Sequence, residues 1–307
     1  MCRLSIAKPK RGRGLPEIIG EWFDRQRHRP AAPSYAWVLT FLLGLATAFF
    51  AAILLQLFPQ DSHAMPPGFG SPVLAFEMAR NQADLAAIFG PEGTPQQMQR
   101  LIAMRSGNEQ DYLFMLLYAA FLTSGIWALF RDLRLRMLVL ALPIPLIAAL
   151  FDGYENWLLF DIQAAFAVGG YSGSITSLAW PVWMKFGLLA ACNLVIGQAM
   201  TTMSGWWKLF GTLVIFACVP VVMAWTAPMA FGWTLTAAIS AGWAALLVAA
   251  ALGSWQAVIR RKPLASFDPG DLPPLRPRRA RAEPEEDVET APTALGFGRR
   301  RAEDPGE

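Results

Sequence analysis

The sequence predicts an all-α, polytopic helical membrane protein: six transmembrane helices, a small helical extracytoplasmic cap and a disordered C-terminal tail. Composition comes first. The 307 residues are 54% hydrophobic and 16% charged, against about a quarter charged in an ordinary soluble domain. Charge placement comes second, because the ionisable residues gather in islands at 1–34, 59–111, 131–136 and beyond 260. Third, six nearly uncharged stretches at about 35–57, 112–130, 137–159, 182–200, 206–225 and 232–253 match the roughly 20 residues that a helix needs to cross a bilayer core.

Taken in order, residues 1–34 form a basic segment. Within it Leu15, Ile18, Ile19, Trp22 and Phe23 recur at helical spacing behind Pro16, with Arg25, Arg27 and Arg29 following. That pattern predicts a short amphipathic helix lying on the cytoplasmic leaflet. The first apolar run starts late and lacks a convincing cleavage site, so no cleavable signal peptide is expected. Thr40, Gly44, Ala48 and Ala52 recur every four residues in the first span, as do Ala237, Ala241, Ala245, Ala249 and Gly253 in the sixth; both read as faces for close helix approach.

The long loop 59–111 is not polar enough to be a mere connector. An amphipathic helix is expected over 72–90, a break at Pro91, Gly93 and Pro95, and a second stripe of Met98, Leu101, Ile102 and Met104, together forming a cap on the outer membrane face. Pro143 and Pro145 should kink the third span. Pro228 sits in a tight turn before the sixth.

Orientation follows from the basic residues. The N-terminal segment, Arg131/Arg134/Arg136, Lys208 and Arg260/Arg261/Lys262 all fall on one side only if there are six spans. Both termini are then cytoplasmic, in a bacterial inner membrane. Tryptophans 180, 183, 206, 207, 225, 233 and 255 lie near the expected helix ends, where indole prefers to sit. Residues 259–307 are rich in Pro, Arg and Glu and bury too little apolar surface to offset their ordering entropy, so they are expected to be disordered.

Several function classes lose support. No basic stripe with interleaved aromatics suggests nucleic acid. The three cysteines form no CxxC, and His28 and His63 lie outside the spans, so no metal, haem or other cofactor is expected. Nor is there a Ser-His-Asp or Cys-His set for nucleophilic catalysis.

The chemistry-bearing feature is FDGYEN, 151–156. Asp152, Glu155 and Asn156 stand at i, i+3 and i+4, so one helical face presents two carboxyls and an amide. Asp152 falls roughly 24 Å along the helix from Arg136, near the outer edge of the membrane. Lys185, a turn into the fourth span, sits at matching depth, and Asp152 or Glu155 should pair with it. Asn193, two turns deeper, could extend the polar track. An acid–base lock between the third and fourth spans, a small-ligand or ion site, and a catalytic dyad are the three readings of this group.

LAFEMA (74–79), DYLFMLLY (111–118), FDGYEN (151–156) and Lys185-Phe186 in that order resemble a group of uncharacterised bacterial multi-span inner-membrane proteins with an Asp-x-x-Glu-Asn motif. The resemblance covers about residues 74–200. It implies that Glu77, Asp111, Asp152, Glu155, Asn156 and Lys185 form one outer-side cluster. That group has four spans, so the fifth and sixth helices here depart from its pattern, and it brings no activity with it. The sequence thus favours a non-enzymatic accessory, sensory or scaffold protein of the bacterial envelope over a small transporter or channel. Its expected partners are the lipid bilayer and a second copy of the chain or another membrane protein.

Overall fold

The computed structural model describes residues 34–259; the basic N-terminal segment and the C-terminal tail lie outside the described residues. Among these, six helical stretches are long and apolar enough to cross a membrane, and no strand occurs. The spans are α1 (Ala36–Leu57), α4 (Pro95–Leu133), the pair α5 (Arg136–Ala141) and α6 (Ile144–Ala167), α7 (Ala179–Thr201), the pair α8 (Trp206–Phe216) and α9 (Val219–Thr226), and α10 (Pro228–Ile259). Two short helices, α2 (Pro72–Glu77) and α3 (Gln82–Phe89), build the cap. The outward surface carries exposed Leu42, Phe49, Leu55, Leu140 and Leu150, as a lipid-facing bundle requires.

The second span departs furthest from expectation. Residues 96–105 are not a separate cap helix but the first turns of α4, which runs unbroken for 39 residues. Thr94 caps it by accepting from the Gln97 amide, Pro95 occupies the first turn, and no breaker follows. Gly107 causes no break, because it admits the Phe58 ring at a point where a Cβ would come within 2.3 Å of it. At 1.5 Å per residue α4 is roughly 58 Å long, nearly twice a bilayer core, so its N-terminal part rises beyond the apolar slab as one wall of the cap.

The third span breaks at Leu142–Pro143, as the two prolines dictate, but continues past 159 to Ala167. Its polar residues there have partners: the Gln163 amide donates to the Leu101 carbonyl, and Asp161 accepts from Ser172 and Ser174. The expected cap helix over 72–90 is split in two, because Asn81 starts α3 with a capping box shared with Asp84. The fifth span divides at Ala217–Cys218, just ahead of Pro220, whose ring and missing N–H cannot continue the ladder. The sixth span is longer than expected, starting at Pro228 itself.

The strict four-residue stripes are also corrected. In α1 the buried face is Trp37, Thr40, Gly44, Thr47 and Leu54, while Ala48 and Ala52 are exposed. In α10, Ala245, Ala249 and Gly253 are buried but Ala237 and Ala241 are not. A repeat of four drifts around a helix of 3.6 residues per turn. The two glycines of the stripes do mark close approach, since a Cβ on Gly44 would lie 2.7 Å from Phe121 and one on Gly253 2.9 Å from Trp37; α7 and α8 also approach closely, a Cβ on Gly197 lying 2.6 Å from the Gly211 carbonyl.

The cap has its own small core of Leu74, Phe76, Leu85, Ile88 and Phe89. Phe76 meets Phe89 edge-on at 5.2 Å, and Phe89 packs on Phe166 of α6. Arg100 of α4 fastens the preceding loop, bonding Asp61 at 2.6 Å and the Phe89 carbonyl at 3.2 Å. At the opposite end of the bundle Asp132 accepts from the Trp37 indole at 2.7 Å and from the Ser34 amide at 2.9 Å. Trp37 in turn packs on Trp207. Asp132 reads in the sequence only as the lone acid of a basic island.

Candidate functional site

The middle turns of α4 and α6 and the cap-side end of α7 converge with the C-terminal end of α2, and most of the polar residues singled out in the sequence meet there. Lys185 is the hub. It enters from α7, is only 5% exposed, and its Nζ lies 2.9 Å from both carboxyl oxygens of Glu155, donating to Oε1. The same nitrogen is 3.1 Å from Asp152 Oδ1 and 3.3 Å from Glu77 Oε1. Three segments are therefore joined through one ammonium group: the cap by Glu77, the third span by Asp152 and Glu155, and the fourth span by Lys185. Phe186 adds a ring face 4.9 Å from Nζ.

A second tier lies on α4. Asp152 uses its other oxygen, Oδ2, to accept from the Tyr118 hydroxyl at 2.9 Å. The Asn156 amide donates to Asp111 Oδ2 at 3.0 Å and to the Asn108 carbonyl at 3.4 Å. The geometry follows from helical spacing. Asp152 and Glu155 share the α6 face turned to α7, while Asn156 begins the neighbouring stripe that faces α4. On α4 itself Asn108, Asp111, Met115 and Tyr118 repeat at three and four residues, presenting one stripe to the third span.

Charge is unbalanced. Glu77, Asp152 and Glu155 face a single lysine with Asp111 close by on Asn156, and no other cation pairs with these four among the described residues. One ammonium neutralises one carboxylate. The others keep their charge in a poorly solvated pocket only at high cost, so the group as formed has capacity for protons or for an additional cation. Glu77, which belongs to the cap, shows the direction: burial pushes its carboxyl above the ordinary 4.5, Lys185 pulls the other way, and the Asp152 charge adds to the rise.

Asn193 stands apart. It is buried on α7 about 12 Å below Lys185, and its Nδ2 has no hydrogen-bond partner; it lies close to Gly242 of α10, where a Cβ would approach Nδ2 to 3.2 Å. Tyr118 and Asn108 also take part in the cluster, although neither stands out in the sequence as a site residue. Their spacing from Asp111 and Asn156 was the available signal. Among the described residues no set of three His, Cys, Asp or Glu side chains is arranged to hold a metal ion.

Comparison with family models, characterised proteins and solved structures finds no match to this chain.

Proposed function

We propose that this is a non-enzymatic accessory, sensory or scaffold protein of the bacterial inner membrane, with both termini in the cytoplasm and the cap on the outer face. The observation that carries this reading is the convergence of Lys185 with Glu77, Asp152 and Glu155. It ties the cap to the third and fourth spans at one buried point, an arrangement suited to holding a surface in a fixed pose for a partner. The working surface is then the cap, and the partner is a second copy of the chain or another envelope protein. The resemblance of 74–200 to the Asp-x-x-Glu-Asn membrane proteins supports placing these polar residues on the outer side.

A second reading, a small transporter or channel, is favoured by one observation, three carboxyls gathered around one lysine with a fourth, Asp111, bonded to the neighbouring Asn156. Proteoliposomes containing only this chain separate the two. The accessory reading expects no uptake of labelled monovalent cations or organic cations above empty vesicles. Uptake that depends on the chain and falls in Glu155→Gln would replace it with the transporter.

A further inference from the structure

Lys185 serves its three carboxyls unequally. Asp152 is met at both oxygens, Oδ1 by the ammonium at 3.1 Å and Oδ2 by the Tyr118 hydroxyl at 2.9 Å. The two glutamates are not. Glu155 is fully buried and accepts from Nζ through Oε1, but its Oε2 takes no hydrogen bond although it lies as near the ammonium. Glu77 touches Nζ with Oε1 at 3.3 Å, and its Oε2 is buried without a donor. The two carboxyls lie within hydrogen-bonding reach of each other. A carboxylate oxygen can only accept, so their contact becomes a bond only when one of the pair carries a proton.

The charges point the same way. Glu77, Asp152 and Glu155, all ionised against one ammonium, leave two negative charges uncompensated, and Asp111 on α4 adds its field to theirs. No other charge is turned toward Glu77 among the described residues. Arg80 of the cap bonds the Ala79 carbonyl and the Met78 sulfur, Asp84 is taken up by the Asn81 cap, and Arg100 is held by Asp61. Two acids this close do not both ionise without strong repulsion. One proton between them supplies the missing donor and removes one of the two uncompensated charges.

The pair also has a side that can move. Glu155 stands in the middle of the 24-residue α6, whereas Glu77 is the last residue of the six-residue α2 and keeps 14% of its side chain exposed. A proton can therefore exchange with water on the cap side. Repulsion between the ionised pair is relieved by displacing α2, which is short, and not a span.

We propose that Glu77 and Glu155 bind one proton between them as a latch, and that its release to water on the cap side loosens α2 from the third and fourth spans. On release the O–H bond of the pair breaks, water takes the proton, and both glutamates remain as carboxylates around Lys185. This deepens the sensory reading given above and rests on it: what the cap senses is pH. The direction follows from Glu77, whose carboxyl burial pushes up. The latched state binds more protons than the loosened one, so it is favoured at low pH and lost as pH rises, by up to about tenfold per pH unit for one proton.

The full chain, labelled with δ-13C-glutamate and held in neutral maltoside micelles, is titrated by infrared spectroscopy; the label separates glutamic from aspartic carboxyls. At about pH 6, where an ordinary glutamate is ionised, wild type should show the C=O stretch of one protonated glutamic acid. Glu77→Gln and Glu155→Gln should each lack it. As the band fades with rising pH, amide exchange over 72–77, corrected for its intrinsic pH dependence, should quicken by up to about tenfold per pH unit. Glu77→Gln, whose amide can donate to Glu155 at any pH, should show no such rise. A band missing from wild type, a band that survives in both variants, or exchange over 72–77 that does not follow the band would each overturn the latch. These signals need neither partner nor transport, so the accessory reading fails separately, by cation uptake into proteoliposomes.

Discussion

Replacing Lys185 with methionine leaves the size of the side chain nearly unchanged and removes its charge. In the wild type that charge touches three carboxyls within 3.3 Å, and Glu155 is fully buried. Taking one partner from a buried ion pair costs about 3–5 kcal/mol, because the remaining charge is stranded. For a chain of this size each kcal/mol moves the midpoint by about 2–4 °C, so Lys185→Met should lower Tm by roughly 6–20 °C in a fixed detergent. The converse change should be milder. Glu155→Gln still leaves Lys185 with Asp152 and Glu77, so its loss should be clearly smaller than that of Lys185→Met. The double variant should recover part of the lysine deficit but not all of it, since two acids remain unpaired; coupling between contacting residues is about 0.5–3 kcal/mol. Thermal unfolding of all four proteins, followed by loss of helical signal, measures the cycle. A neutral Lys185→Met, or a double variant whose loss is the plain sum of the singles, would refute the hub argument.

Tyr118→Phe removes the donor to Asp152 and should cost about 1.5–3 kcal/mol, as for a hydrogen bond to a charged group; an unchanged Tm would mean that this bond contributes nothing to the stability of the bundle. For Glu77 the sign follows from its raised carboxyl: the stabilising contribution is full below about 4.5 and is lost as pH rises through the higher folded value. Glu77→Gln can neither ionise nor offer Lys185 a carboxylate, so it should show a flatter stability profile above pH 4.5 than wild type. Asp61 is the opposite case, held below its ordinary 3.8 by the Arg100 hydrogen bond. Its contribution is present above about 3.8 and disappears as pH falls through the lower folded value; Asp61→Asn should remove that acid-side loss, measured as amide exchange around His63 and Ile88.

The number of spans was legible because hydropathy and basic islands depend only on local composition. Within the polar cluster, the juxtaposition of Asp152 and Glu155 with Lys185 followed from helical spacing and matched depth. What stayed hidden needed tertiary context. That Glu77 reaches the same lysine depends on the cap folding back, for which the motif resemblance was the single hint. Asn81 could have announced the start of α3, since Asn-x-x-Asp is a capping pattern, but the apolar run from Val73 to Phe89 masked it. The unbroken course of α4 escaped because Pro91, Gly93 and Pro95 read as a boundary between two cap helices, whereas they precede a single helix of which Pro95 is the first residue. Asn193 shows the limit of depth arguments: it shares α7 with Lys185, yet its amide lies by Gly242 of α10 instead of joining the cluster.

Lys185 clamps the cap to the spans through Glu77. Hydrogen–deuterium exchange of wild type and Lys185→Met, compared peptide by peptide well below either Tm, tests it most directly. The claim predicts faster exchange over α2 and α3, 72–89, with the mid-span amides of α1 and α10 unchanged. Unaltered protection across 72–89 would show that the cap is held by its own apolar core, and that the buried lysine does not fasten it.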